Sequence, residues 1–337
     1  MSTRRFPNGS WIAATLLLAA GAANGEPAYL DVYLALGEPG AIHVEGRALG
    51  GTPLPVEESG DWAVVNALRI TLAAASDELP GVTIEVAPAD PASGEPVRTT
   101  TDGEGFFSVS FPGGTPDGAP AGPLSLEIRL DAPGYEAPSV RVEATVLPAE
   151  GARVVITDFD DTLAATQVDR PLLFAVRLLL ANGAQLTAVP GAAECLGALA
   201  RDTDALVVLS GNPVNFRPRL ESFLRSHGFP AAWFVLRDFG VGPEADPLDV
   251  GAFKRRELDR LAAVLPHARF VLLGDAGEHD TEVYEAFRTA HPDRAEPIWI
   301  RRIEGAAASS TGTAGGAVFF DDYADLRCDL EPAPTPP

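Results

Sequence analysis

The chain is poor in positive charge, with 25 Lys and Arg against 47 Asp and Glu, a formal net charge of -22. Lysine in particular is almost absent. That balance excludes nucleic acid as a partner, because phosphate backbones are bound by clusters of Lys and Arg. It also disfavours broad adhesion to anionic membrane surfaces. Cysteine is scarce too: only Cys195 and Cys328 occur, and neither has a His or second Cys at metal-ligand spacing, which excludes a zinc site. Their separation does not decide whether they are bonded, and two buried free thiols is the favoured expectation. Long hydrophobic runs are missing after an apolar stretch from Trp11 to Ala20, which is itself too short to span a bilayer. What remains is 46% hydrophobic with 33 Gly and 30 Pro, the composition of a globular chain with many turns, and at 337 residues long enough for two domains.

The N-terminus has the order of a secretory signal. Arg4 and Arg5 precede the apolar stretch, and small residues from Gly21 to Gly25 follow it. Residues 1–25 are therefore expected to be a signal peptide, and the protein to be exported, periplasmic or secreted. No Cys follows the run, which argues against a lipid anchor. With no transmembrane segment expected after signal removal, peripheral contact is the membrane approach left open.

The rest divides in two. From 26 to 150, short runs alternate with period two between turn residues: Ala41–Arg47, Val82–Val86, Phe106–Phe111, Leu124–Leu130 and Val140–Val146. This pattern predicts an antiparallel β-sandwich domain. Thr99 to Phe107 reads as a turn entering a strand, with Gly supplying positive φ. No catalytic constellation is expected in this half, and His43 reads as a strand surface residue. From 151 to 337, apolar runs at Val154–Ile156, Ala205–Leu209, Trp233–Leu236, Phe270–Leu273 and Ile298–Ile300 alternate with helical spacing at Leu172–Leu180, Ala192–Leu199, Arg219–Leu224 and Phe253–Val264. That predicts an α/β domain with a parallel sheet covered on both faces. Ligands of such sheets bind beyond the carboxyl ends of the strands. Three of the strands run into polar clusters there: Asp158-Phe159-Asp160-Asp161-Thr162, Ser210-Gly211-Asn212, and Gly274-Asp275 through Asp280.

Carboxylates gathered at one edge repel, and a divalent cation turns that cost into binding. Mg²⁺ suits a few carboxylates plus waters and a substrate phosphate. Asp158 beside it could attack phosphorus and form an aspartyl-phosphate. Asp160 could give a proton to the leaving oxygen and later take one from water. Ser210 and the amides after it could hold phosphate oxygens at a strand-to-helix turn. Lys254 would balance charge, and Asp275 and Asp280 would supply or orient the remaining metal ligands. Asp161, Glu278 and His279 are expected to be solvated, capping or structural, and His227, His267 and His291 have no assigned role.

D-x-D-x-T after a strand, then S, then K, then G-D-x-x-x-x-D is the ordered motif set of the haloacid dehalogenase superfamily, which this chain resembles. Val155–Thr162, Leu209–Pro213, Leu272–Asp280 and Phe229-Pro230 through Leu236–Gly240 are similar to the catalytic domain of the actin-patch phosphatidate phosphatase family. Leu36-Gly37 through Arg47 and Thr101–Phe106 resemble the β-rich N-terminal region of its bacterial members. The resemblance implies a Rossmann-like fold without a large lid domain and a Mg²⁺-dependent phosphatase converting phosphatidate to diacylglycerol. It implies Asp158 as nucleophile and metal ligand. Asp160 would be the acid/base whose carbonyl also serves the metal. Thr162, Ser210, Gly211 and Lys254 would bind phosphate, and Asp275 and Asp280 would serve the metal. Two local departures stand beside the chemistry: Asn212-Pro213-Val214-Asn215 replaces the family's Ser-Pro followed by Trp, and Asp275-Ala276-Gly277 replaces Asp-Ser-Gly.

The stretches between Asp158 and Ser210, and between Ser210 and Lys254, are too short for a folded lid. An open site suits a head group presented by a lipid or a protein rather than a small ester enclosed away from water. Three readings stand: a lipid phosphate phosphatase; a phosphatase of the same mechanism acting on a phosphoprotein or another phosphomonoester; and a non-catalytic surface-binding protein. The intact set of Asp158, Asp160, Ser210, Lys254 and Asp275 speaks against the third.

Overall fold

The computed structural model describes residues 15–17, 25–54, 57, 60–62, 77–91, 94–112, 121–136, 138–165, 182–238, 249–277, 279–303 and 316–330. The helical stretch Leu172–Leu180, Glu278 and the pair Phe239-Gly240 lie outside them, as do most of residues 1–25. The chain forms two compact units: Ile12–Pro55 with Thr71–Ala149, and Glu150–Pro337 with which Val56–Ile70 groups.

The first unit is a sheet of β1 (Thr15–Leu17), β2 (Ala28–Glu38), β3 (Ala41–Gly50), β4 (Thr83–Pro88), β5 (Val97–Thr100), β6 (Phe106–Pro112), β7 (Gly122–Asp131) and β8 (Ser139–Val146). Hydrogen bonds join them in the order β5-β4-β7-β8-β2-β3-β6, with β1 on β8. Every pairing is antiparallel except β2 with β8, which is parallel. The sequence suggested a sandwich; the hydrogen bonds instead trace one continuous path. Its two end strands approach each other, where Thr99 Oγ1 donates to Ser108 O at 3.5 Å. Along β4 and in the middle of β8 alternate residues are buried, as period-two patterning requires. The turn before β6 is closed by Asp102, whose Oδ1 accepts from the amides of Glu104 and Phe106, both at 2.9 Å, and by Gly105 at φ 79°. His43 is partly exposed beside Ser110 Oγ at 3.0 Å, as a strand surface residue should be.

The second unit is α/β. Its strands are β9 (Arg153–Thr157), β10 (Ala205–Pro213), β11 (Trp233–Arg237), β12 (Arg269–Asp275), β13 (Ala295–Arg301) and β14 (Val318–Phe320). Its helices are α1 (Ala192–Asp202), α2 (Arg217–Ser226), α3 (Val250–Val264) and α4 (Asp280–Ala290). All strand pairs are parallel, in the order β11-β10-β9-β12-β13-β14. Counted within this unit, that is strand order 3-2-1-4-5-6, the doubly wound arrangement whose crevice opens where the order reverses. The reversal lies between β9 and β12. β9 is buried at four successive positions, as a strand covered on both faces must be. The register settles what sits at the crevice: Thr157 pairs with Val208 on one side and Leu273 on the other. One or two residues further along each strand lie Asp158, Ser210 and Asp275.

Two features of this unit were not legible beforehand. Cys195 of α1 and Cys328 form a disulfide, Cα–Cα 5.2 Å, rather than the two free thiols expected. Compact folding brings together residues that spacing leaves unrelated. Residues 57 and 61, from the β-rich half of the sequence, pack within this unit. Glu57 Oε2 accepts from Gly183 N at 2.6 Å, and Glu57 O accepts from Ser222 Oγ at 3.3 Å. Asp61 Oδ2 accepts from Asn182 Nδ2 at 3.1 Å, and its carbonyl from Gln185 Nε2 at 2.8 Å.

A bond closing a sequence separation of 133 residues removes roughly 4–5 kcal/mol of chain entropy from the unfolded state. Replacing both cysteines with serine should lower the melting temperature by on the order of 10 °C in calorimetry. An unchanged transition would show that the bond adds nothing.

Candidate active site

The loop after β9 turns the chain sharply so that its acids face the crevice. Phe159 drives into the core, 2% exposed, edge-on to Phe223 with ring centroids 5.0 Å apart. Its carbonyl accepts from Leu163 N at 2.9 Å and Ala164 N at 3.0 Å, so one wide helical turn carries the acids and Thr162. Within that turn Asp161 takes φ 51°, the one non-glycine residue at positive φ among the described residues. Asp tolerates this conformation better than most side chains, and such strain concentrates at functional loops. Of the roles expected for Asp161, solvated, capping or beside the metal ligands, the solvated one is not met: it is buried, and its carbonyl accepts from Arg301 Nη1 at 2.6 Å.

Asp158, Asp275 and Asp280 are fully buried, and one carboxylate oxygen from each lies within 4.8 Å of the others. Lys254, also fully buried, stands among them. Its Nζ donates to Asp158 Oδ1 at 2.8 Å and to Asp280 Oδ1 at 2.6 Å. Helix α3 delivers it: Asp249 caps that helix by accepting from Ala252 N at 2.7 Å, which sets Lys254 in the first turns. Lys254 is the only lysine of the sequence, all its other cationic residues being arginine. A compact ammonium can bond two carboxylates in a closed space where the planar guanidinium fork does not fit.

Asp280 opens α4, where the helix dipole favours a negative charge. Its Oδ2 accepts from Asp275 N at 3.2 Å, and Asp275 Oδ1 accepts from Gly277 N at 2.5 Å. Gly274 is required between them, because a Cβ there would run into the Asp280 carboxylate. Tyr284 and Tyr323 border the cluster. Burial pushes both phenols well above their usual range; the charges of Asp280 at Tyr284, and of Asp158 and Asp275 at Tyr323, push the same way. Both stay neutral donors, to Leu273 O at 3.4 Å and Thr162 O at 3.0 Å. Three carboxylates against one ammonium leave two negative charges in a dry site. An oxygen-liganded divalent cation would balance that charge, so the donor set fits such an ion.

Across the crevice, Ser210 is buried at the end of β10. Its Oγ accepts from Asn212 N at 3.2 Å and from Asn212 Nδ2 at 3.0 Å. The same amide nitrogen donates to Asp160 Oδ2 at 2.5 Å. Asn212, met in the sequence as a departure from the family pattern, thus ties the serine strand to the second aspartate. Gly211 lies where a Cβ would press on Val250 at 2.9 Å, which lets α3 approach β10. Thr162 Oγ1 is buried without a hydrogen-bond partner, the kind of orphan that a ligand oxygen would satisfy. The fold therefore brings Asp158, Asp275, Asp280 and Lys254 into one cluster, with Ser210 and Asp160 linked through Asn212. His279 is exposed at the start of α4 and takes no part. Asn212, Tyr284 and Tyr323 were missed by sequence reading; only the departure at Asn212 carried a signal.

Residues 153–302 match the family described as phosphatidate phosphatase APP1, catalytic domain, the family that this half of the sequence resembles. No curated protein matches the chain. Among solved structures, two chains from the Pnkp1/Rnl/Hen1 RNA repair complex align at 18% and 19% identity, each with TM-score 0.32. The first alignment covers 44% of this chain and 42% of that one; the second covers 43% and 45%. A 2,6-sialyltransferase of Photobacterium sp. JT-ISH-224 aligns at 7% identity and TM-score 0.23, over 80% of this chain and 42% of its own. The chain spans less than half the length of these structures, and likenesses at such scores carry no argument about fold or function.

The fit around the single lysine is testable. Lys254→Arg keeps the charge but overfills a closed space, at about 1–3 kcal/mol. It should lower the melting temperature by several degrees, read by calorimetry. A variant as stable as the parent would show that the space admits the larger group.

Proposed function

We propose that the second unit is a haloacid dehalogenase-like, Mg²⁺-dependent phosphatase that hydrolyses phosphatidate, or a related lipid phosphate, through an aspartyl-phosphate. One observation carries this reading: a buried cluster of Asp158, Asp275 and Asp280 around Lys254, at the switch point of a parallel sheet. The match of residues 153–302 to the phosphatidate phosphatase family supports it.

In this mechanism Lys254 orients the Asp158 carboxylate, which attacks phosphorus as the ester P–O bond breaks. Asp160 gives its proton to the leaving oxygen, then accepts one from the water that attacks the acyl-phosphate, so phosphate is released and Asp158 is restored. Ser210, Gly211 and Thr162 hold phosphate oxygens. Asp158, Asp275 and Asp280, with the Asp160 carbonyl, would hold the Mg²⁺, which supplies positive charge for the phosphate oxygens when bound.

The lipid assignment has a further support. Trp62 is 80% exposed, in the short segment that packs on the catalytic unit, and such aromatic side chains settle at the boundary of lipid and water. The net charge of -22 favours a second reading, a soluble phosphomonoester or phosphoprotein, because an acidic surface is repelled by an anionic bilayer. Among the described residues no helix is long and apolar enough to cross a membrane. The Cys195–Cys328 bond, together with the leader-like N-terminus, supports an exported, oxidising location.

Asp158→Asn should bring phosphate release from every substrate to background while the fold persists; surviving turnover would end the covalent mechanism. Trp62→Ala should cut the rate on phosphatidate vesicles by roughly tenfold, about the worth of one buried aromatic, and leave soluble phosphomonoesters unaffected. Equal rates of variant and parent on vesicles would remove Trp62 from the lipid reading.

A further inference from the structure

Strand β10 runs out of register at the crevice. Ser210 pairs with Leu236 of β11, but the next pair is Pro213 with Arg237, so Gly211 and Asn212 are surplus to the ladder. A bulge of this kind re-aims side chains beside a site. Here it folds Asn212 back onto the residue two before it. Ser210 is 1% exposed, and its Oγ accepts from Asn212 N at 3.2 Å and from Asn212 Nδ2 at 3.0 Å. The same Nδ2 also donates to Asp160 Oδ2 at 2.5 Å, which holds the amide in place from its other side.

A hydroxyl has two lone pairs and one proton. Asn212 engages both lone pairs of Ser210, so the proton points away from both nitrogens. Among the described residues nothing accepts it. A buried donor of that kind is satisfied by an oxygen that can only accept, and a phosphate oxygen is one. Thr162 Oγ1, buried in the turn after β9, is a second hydroxyl without a partner.

We infer that Asn212 is a positioning residue for Ser210: by filling both acceptor positions of Oγ it makes the serine a donor only, aimed at a phosphate oxygen. The inference rests on the reading above in which Ser210 binds phosphate, and deepens it by naming what sets the direction of that hydroxyl. It concerns binding alone, and no proton is transferred. A hydroxyl free to turn presents a lone pair to the phosphate as well as its proton, and the lone pair repels. Fixing its direction beforehand removes that competition and the cost of ordering the rotor on binding. The departure from the family pattern thereby acquires a role. A serine in place of Asn212 would keep the backbone bond, but its shorter side chain would not join Ser210 Oγ to Asp160 Oδ2 as the amide does.

Titration calorimetry of the full-length protein with inorganic phosphate, Mg²⁺ present throughout, tests this. Ser210→Ala should weaken phosphate binding by at least about tenfold, the usual effect of losing a hydrogen bond to a charged oxygen. Asn212→Ala keeps the backbone amide and loses only the side chain, and should weaken binding by about three- to tenfold. Asn212→Ser should fall in the same direction. In the Ser210→Ala background, Asn212→Ala should change phosphate affinity by less than about twofold, because no hydroxyl is left to aim. A merely structural role for Asn212 would weaken binding alike in both backgrounds. That additive result would overturn the inference and leave Ser210 as a phosphate ligand, as would Asn212 variants that bind phosphate like the parent. Should Asn212→Ala fail to fold, Asn212→Ser carried through the same pair of backgrounds decides. Undiminished phosphate binding by Ser210→Ala would overturn both the inference and the role of Ser210, while Asp158→Asn still decides the covalent mechanism.

Discussion

The ion pairs of Lys254 with Asp158 and Asp280 hold the catalytic unit's design together. An ammonium with no exposed surface is tolerable only when carboxylates surround it, and those carboxylates are tolerable there only with a cation among them. Each partner is delivered by a different element: Asp158 by the end of β9, Lys254 by the first turns of α3, Asp280 by the N-terminus of α4. Placing one lysine thus constrains three junctions of the sheet. Removal of any one partner leaves a buried charge exposed to no solvent, which explains why the surrounding backbone is so closely fitted. Gly274 admits the Asp280 carboxylate, and Gly211 admits α3 against β10.

That core of charge remains deliberately incomplete in electrostatic terms. Two carboxylates are offset by the lysine in hydrogen bonds, and the cluster still carries excess negative charge in a region of low dielectric. The neighbouring phenols of Tyr284 and Tyr323 stay neutral, because ionising would add a further negative charge in a buried place. The polar half of the crevice is built differently. Ser210, Asn212 and Asp160 form a hydrogen-bonded chain at the ends of β9 and β10, partly open to solvent. A dry anionic pocket beside a wetter donor-rich strip is what a metal and a phosphate, bound side by side, would call for.

Support for this arrangement comes from far along the chain. Tyr323 donates to the Thr162 carbonyl, Gly191 at φ 80° admits the Tyr323 side chain, and the Cys195–Cys328 bond ties the same C-terminal stretch to α1. Arg301 holds the Asp161 carbonyl where the backbone is strained. The segment around Glu57 and Asp61 braces the turn Gly183–Gln185 and α2 from the other side. A strained loop persists only when its surroundings over-determine it, and here contacts from Asn212, Arg301 and Tyr323 do so.

Much of this was written in local pattern. The apolar runs of the second half gave β9 to β13, since a strand buried on both faces must be continuously apolar, and the alternating runs gave β3, β4 and β6 to β8 by their period of two. The acids and Ser210 stood out because each ends or follows such a run, and Lys254 because it opens a helix in a chain where lysine is scarce. Strand β2 was missed because its burial alternates only at one end, and β14 because three residues carry no period. The pairing of β2 with β8, the single hydrogen-bonded path of the first sheet, the disulfide, and the reach of Glu57 to Gly183 and Ser222 were invisible for another reason. Each is a meeting of residues far apart in the chain, where periodicity and spacing say nothing. The sequence by itself determined which side chains would end their strands as acids, because hydrophobic patterning and turn chemistry are local. Only the tertiary structure decided which of them share one lysine and which amide ties Asp160 to Ser210, because buried polar groups choose partners by distance in space.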